Sequence, residues 1–210
     1  MSKTLLLAVL AVAALVVLAP AAASATTTLG TAVPNLPSNV HQAYIADGNG
    51  DPEDADITLA GPLTVNGAAT VSCTSNSMQV TANADGTATV GSLAATGCSV
   101  AGFPNCSVDI SPENLDWGAR LGYDTSSSTY RLYLNTTLIY NFTNTLPNCP
   151  VFGAFTSIGS LSPAISISSG VLTAAFGTGS GSTSGPLGTA TIGGSIYSVS
   201  GVGSDTQLVF

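Results

Sequence analysis

V-S-C-T-S-N-S-M-Q-V-T-A-N-A-D-G-T-A-T-V-G-S-L-A-A-T-G-C runs from Val71 to Cys98, and its reading decides the fold. On both sides of Asp85-Gly86, apolar and hydroxylated residues alternate, the period-two pattern of half-buried strands. Asp-Gly between two such runs signals a hairpin, because a two-residue type I′ turn needs positive φ at both central positions. With Ala84 opposite Thr87, Cys73 falls opposite Cys98. That position is a non-hydrogen-bonded pair, with Cα atoms about 4.5 Å apart, close enough for a disulfide. A bulge near Ser75-Asn76 or Gly91 would break this register. Four cysteines allow three pairings. If Cys73 bonds Cys98, then Cys106 and Cys149 are left for each other. The rival is a small Cys98–Cys106 loop with Cys73–Cys149.

Outward from the hairpin the chain continues as short alternating runs. Before it stand I-T-L, P-L-T-V and A-T-V-S-C, separated by Gly61-Pro62 and Asn66-Gly67. After it come Ser107 to Ile110, a turn at Ser111 to Asn114, and Leu115 to Leu121. Tyr130 to Asn135 puts Tyr130, Leu132 and Leu134 on one face and Arg131 and Tyr133 on the other. Further strands are expected at 137–143, 151–158, 164–167, 171–176, 187–192 and 196–199, with a last one ending at Phe210. Gly177 to Gly188 reads as a flexible loop. No capped helical stripe of ten or more residues follows residue 25. Many short strands with Gly- and Ser-rich turns predict an all-β fold, an antiparallel β-sandwich or partly closed barrel with two disulfides.

The first 25 residues read as an export signal. Lys3 supplies the positive charge, Leu5 to Leu18 an apolar run, Pro20 a break and Ala23-Ser24-Ala25 a small-x-small cleavage site. The run is shorter than a bilayer-spanning helix, and no later stretch is long enough, so no membrane span is expected after cleavage. The expected organisation is a signal peptide over 1–25, an extended arm with an acidic turn over 26–56, and one β-domain over 57–210. Cleavage leaves Arg120 and Arg131 as the basic side chains apart from His41, against eleven carboxylates, a formal charge of −9. Polyanion binding needs neutralising cations, so nucleic acid and anionic membrane surfaces are poor partners, and no nucleic-acid partner is expected. Export with four cysteines points to an oxidising, extracellular or cell-surface setting.

Candidate chemistry is thin. Asp47 to Asp56 (D-G-N-G-D-P-E-D-A-D) holds five of the eleven carboxylates. Asp47, Asn49 and Asp51 have the 1-3-5 spacing of an EF-hand loop, but Pro52 and Thr58 stand where that loop needs Gly and Glu. The segment reads as a solvated acidic turn, with an irregular Ca²⁺ site on Asp47, Asn49, Asp51, Asp54 and Asp56 as the alternative. A single histidine, His41, and no G-x-S-x-G elbow leave nucleophilic hydrolysis without support. Asp109, Glu113, Asp116 and Asp124 cluster in sequence near Trp117, which is the basis for an alternative as a small carbohydrate-active enzyme with paired carboxylates. Trp117, Arg120, Tyr130 and Tyr133 are the residues on which a ligand surface is expected, although Trp117 reads first as a core anchor.

Cys73-Thr74-Ser75, the close pair Cys98 and Cys106, Asn114-Leu115-Asp116-Trp117 and the late Cys149 resemble a group of small secreted proteins of high-GC Gram-positive bacteria. Where those carry an Asn-Leu-Pro-Trp element, Asp116 stands here in place of the proline. The resemblance covers roughly residues 60 to 150, implies a secreted all-β domain, and brings no activity with it. The expectation is a secreted or envelope-associated, non-enzymatic structural or binding protein. Its expected partner is a cell-wall or extracellular polysaccharide or a protein.

Overall fold

The computed structural model describes residues 32–113, 115–134, 137–144, 153–158, 161–177, 182–184 and 190–210. They form fifteen strands and no helix. In order these are β1 (Val40–Gln42), β2 (Tyr44–Ala46), β3 (Ala55–Asn66), β4 (Thr70–Ala82), β5 (Thr87–Val100), β6 (Phe103–Glu113) and β7 (Trp117–Asp124). They continue with β8 (Thr129–Leu134), β9 (Thr137–Asn144), β10 (Gly153–Ile158), β11 (Ala164–Ser168), β12 (Val171–Phe176), β13 (Ser182–Ser184), β14 (Ala190–Ser200) and β15 (Gln207–Val209).

The expected hairpin is β4–β5, and Cys73 lies opposite Cys98, disulfide-bonded with Cα atoms 4.0 Å apart. The route to that register differs from the simple one. The turn holds three residues, not two: Asn83 pairs with Thr87, the Gly86 amide donates to the Asn83 carbonyl, and Gly86 sits at φ 78°. This is a type I turn closed by a left-handed glycine, the three-residue hairpin loop. It shifts the pairing by one, so that Val80 faces Val90. A bulge at Gly91 then restores it, and Gln79 faces Ser92. The two one-residue departures cancel before the cysteines. The two-residue turn with both φ positive occurs instead at Ser169-Gly170, between Ser168 and Val171. Because Cys73 bonds Cys98, the rival Cys98–Cys106 pairing is overturned. Cys106 is itself disulfide-bonded; the expected Cys106–Cys149 pairing involves Cys149, which lies outside the described residues.

Several expected breaks are strand interiors. β3 runs through Gly61-Pro62, because Pro62 sits at a bulge where it owes the ladder no N–H. β6 continues through Ser111-Pro112-Glu113, paired to β9, so no turn stands there. β14 is likewise continuous across Gly193-Gly194. Of the expected 177–188 loop, Gly177 is exposed and irregular and Ser182–Ser184 form β13, while 178–181 and 185–188 lie outside the described residues, as do residues 1–31.

Of the two antiparallel architectures open from sequence, the pairing realises the ring-closed one. β3 pairs with β14, and this contact between distant parts of the chain closes the sheet. The long strands β14, β3, β4 and β5 are shared by two eight-membered rings. One is completed by β7, β8, β11 and β12, the other by β6, β9, β10 and β13. β5 changes partner from β7 to β6 along its length, and β14 changes from β13 to β12. Bulges gather where the rings meet, at Gly61-Pro62 and in the β5–β6 pairing near Gly97. There β3 and β14 approach so closely that a Cβ on Gly194 would lie 2.6 Å from the Pro62 carbonyl oxygen, and one on Gly61 2.6 Å from that of Ser195. Asn76 is buried at this level and donates to the carbonyls of Gly61 and Cys73, which satisfies its amide.

The first ring is filled by Ile57, Leu59, Val80, Leu121, Leu132 and their neighbours, which leave a void of only about 20 Å³. Outside, the long strands present Thr58, Thr64, Ser77, Gln79, Thr81 and Ser99. Apolar inside and hydroxylated outside is the opposite polarity to a lipid-facing barrel. One mouth of this ring is capped by a two-stranded ribbon of β2 and β15. Ile45 points from the ribbon into the ring interior, and Ala43 and Ala46 are buried beside it. Ala43, Ile45 and Ala46, expected in the arm, are thus buried, and β3 begins at Ala55, ahead of the expected boundary at 57.

Candidate functional site

An open concavity lies where this cap meets the ring wall. β8 and β11 are paired only at Ala164/Arg131 and Ile165/Tyr130, while β11 runs on to Ser168. Ser128, at φ 51°, turns the chain away just before β8. The overhanging part of β11 and the cap strand β15 bound a groove of about 480 Å³, lined by Ser128–Tyr130, Ile165–Ile167 and Thr206–Leu208. That volume lies within the range of ligand sites. No lining residue carries a charge.

Next to the groove stands an aromatic cluster. Tyr123 stacks on Phe210 with centroids 3.9 Å apart, and Tyr130 sits 4.9 Å from Tyr123. His41 lies with its ring centroid 6.3 Å from that of Phe210, a residue that is 62% exposed. The Tyr130 hydroxyl donates to the Leu208 carbonyl at 3.1 Å, tying cap to wall. Burial pushes the Tyr130 phenol above its ordinary value, with a smaller push from Tyr123.

The four residues expected to carry a ligand surface are divided. Trp117 is 1% exposed and part of the core; Tyr133 is 8% exposed on the outer side of the wall. Leu36 and Val40 of the arm press there against Gly122 beside Tyr133. Arg120 is half-buried at the hairpin tip, where Nη1 donates to the Gln42 Oε1 at 3.1 Å. Its charge helps hold the Asp85 carboxyl below its ordinary range, after the larger effect of hydrogen bonds from Thr87. Tyr130 alone of the four lines the groove. Arg131 donates to the Ser162 carbonyl and lies 3.9 Å from Asp124. Both arginines are thus engaged within the fold.

The acidic segment forms a tight local turn. The Asp47 carboxylate accepts from the amides of Asn49 and Asp51 and from the Asn49 side chain, which lowers its pKa. Asp54 accepts from the Ala84 amide and Asp56 from the Thr81 hydroxyl. These carboxylates are used separately, and no group of three metal-ligating side chains gathers among the described residues. Of the carboxylates considered for glycoside chemistry, Asp109 and Asp116 are exposed. Asp124 accepts from Asn39 and Ser126 in the β7–β8 turn. The side chain of Glu113 lies outside the described residues.

No protein family, curated protein or solved structure matches the chain.

Proposed function

We propose that this is an exported, non-enzymatic structural or binding protein of the extracellular space or cell surface, and that the cap groove is its ligand-contacting surface. The observation that carries the reading is the character of that groove. It is an uncharged concavity on a ring whose interior is packed and whose two arginines are engaged internally. Such a surface suits a neutral partner, a polysaccharide or a protein segment of the envelope. The disulfide and the apparent export signal support the compartment, as does the resemblance to small secreted all-β proteins. The test is co-sedimentation of the mature protein with insoluble neutral cell-wall material, beside a Ser166→Arg variant. Ser166 is exposed, so the substitution tests the surface and not the core. Binding lost in the variant, without release of soluble sugar by either protein, supports the reading. Equal binding by both, or release of soluble sugar, overturns it.

A further inference from the structure

We infer that Phe210 is a stacking platform for one sugar unit of a neutral polysaccharide, whose neighbouring units lie in the cap groove. The inference rests on the proposed function and deepens it, because it names the ligand class and a contact residue beyond the groove lining.

Strand register assembles the platform. His41 lies opposite Tyr123, Tyr123 opposite Tyr130, and Tyr130 opposite Ile165, so these side chains form one row across β1, β7, β8 and β11. Phe210, one residue past β15, lies over the middle of that row. Its ring is nearly parallel to that of Tyr123, at 7° and 3.9 Å between centroids. It stands edge-on to Tyr130 at 6.1 Å and is tilted 35° to His41 at 6.3 Å. Tyr123 therefore covers one face of the ring. The residue is still 62% exposed, so the surface it offers lies on the side away from Tyr123. A ring already held by its neighbours loses little freedom when a ligand settles on it.

The choice of ligand follows from shape and charge. A pyranose with equatorial hydroxyls presents axial C–H groups on each face, an apolar disc with a polar rim. Phe210 suits the disc and the groove suits the rim. Tyr130 belongs to the aromatic row and also lines the groove, as does Leu208, two residues before Phe210, so platform and groove are continuous. In the groove, the exposed Ser128 and Ser166 hydroxyls make no hydrogen bond among the described residues. The Thr206 hydroxyl accepts from the Gly203 amide, which leaves its own proton to donate. Aromatic surface with a few placed polar groups is the usual composition of a ligand site. Arg131 and Asp124 adjoin the row in sequence, but strand alternation turns them to the other side of the wall. After cleavage two arginines stand against eleven carboxylates, a balance that repels an anionic polymer.

The experiment is co-sedimentation of the mature protein and the variants Phe210→Ala, Phe210→Leu and Phe210→Trp with protease-treated, insoluble neutral cell-wall polysaccharide. Binding isotherms are read beside Ser166→Arg, and thermal melts check that each variant is folded. Loss of the ring face should weaken binding about tenfold or more in the alanine and leucine variants. Tryptophan, with a larger face, should bind at least as tightly as the parent. Leucine keeps apolar bulk against Tyr123 without a flat face, so a purely structural role for Phe210 would leave that variant unchanged. Binding by Phe210→Ala or Phe210→Leu equal to the parent, or binding that protease treatment of the wall material abolishes, overturns the inference. Binding lost in Ser166→Arg alone leaves the proposed function standing while the platform falls.

Discussion

Removing the disulfide gives the sharpest stability prediction. Cys73 and Cys98 are separated by 25 residues and are both buried. Cross-linking a loop of that length withdraws entropy from the unfolded chain equivalent to about 3.5 kcal/mol. The double variant Cys73→Ala/Cys98→Ala avoids burying hydroxyls, and loss of the two sulfur atoms adds a packing cost of the same sign. The expected loss is therefore at least about 3 kcal/mol, or a fall in Tm of about 6–12 °C for a chain of this size. Urea unfolding of the oxidised parent and the variant, fitted with a common m-value, measures it. A loss below about 1 kcal/mol would refute the reasoning. It would mean that the β4–β5 hairpin already holds its ends together in the unfolded ensemble.

Further predictions follow from the turns and the ring closure. Gly194→Ala places a Cβ against the Pro62 carbonyl at a φ of 115°; it should lower stability by more than about 1 kcal/mol, read by the same urea titration. Asp47, Asp85 and Asp124 have pKa values lowered by hydrogen bonds. Their stabilising contribution is present above the unfolded value of 3.8 and lost as pH falls through the folded values. Thermal melts should thus worsen below about pH 4, and less so for Asp85→Asn/Asp124→Asn. Because Asp47 already accepts three hydrogen bonds within its own turn, adding Ca²⁺ should leave Tm unchanged; a rise would assign a Ca²⁺ site to the segment.

The hairpin was legible in sequence because its signals are local: alternation, Asp-Gly and two cysteines at matching distance. Its details were not, since whether Gly86 closes a two- or three-residue loop depends on its contact with Gln42, 44 residues away. Pro62 and Pro112 misled for a related reason. Proline marks a break unless its missing N–H coincides with a bulge or an unneeded ladder position, which only the partner strand decides. Ring closure rests on β3 meeting β14 across more than a hundred residues, and nothing in either strand announces the other. The groove was invisible for the same cause. It is assembled from Ser128–Tyr130, Ile165–Ile167 and Thr206–Leu208, three unremarkable stretches joined by the splaying of β8 from β11. Trp117 drew attention because it is the single tryptophan, yet its size is spent on the core.

The central claim is that an exported, non-enzymatic protein meets its partner at the cap groove. Backbone chemical-shift mapping of the mature secreted protein against solubilised neutral cell-wall polymer tests it most directly. The account predicts saturable shifts centred on Ser128–Tyr130, Ile165–Ile167 and Thr206–Leu208, with the polymer recovered unchanged. Shifts centred elsewhere, no shifts at saturating polymer, or cleavage of the polymer would contradict it.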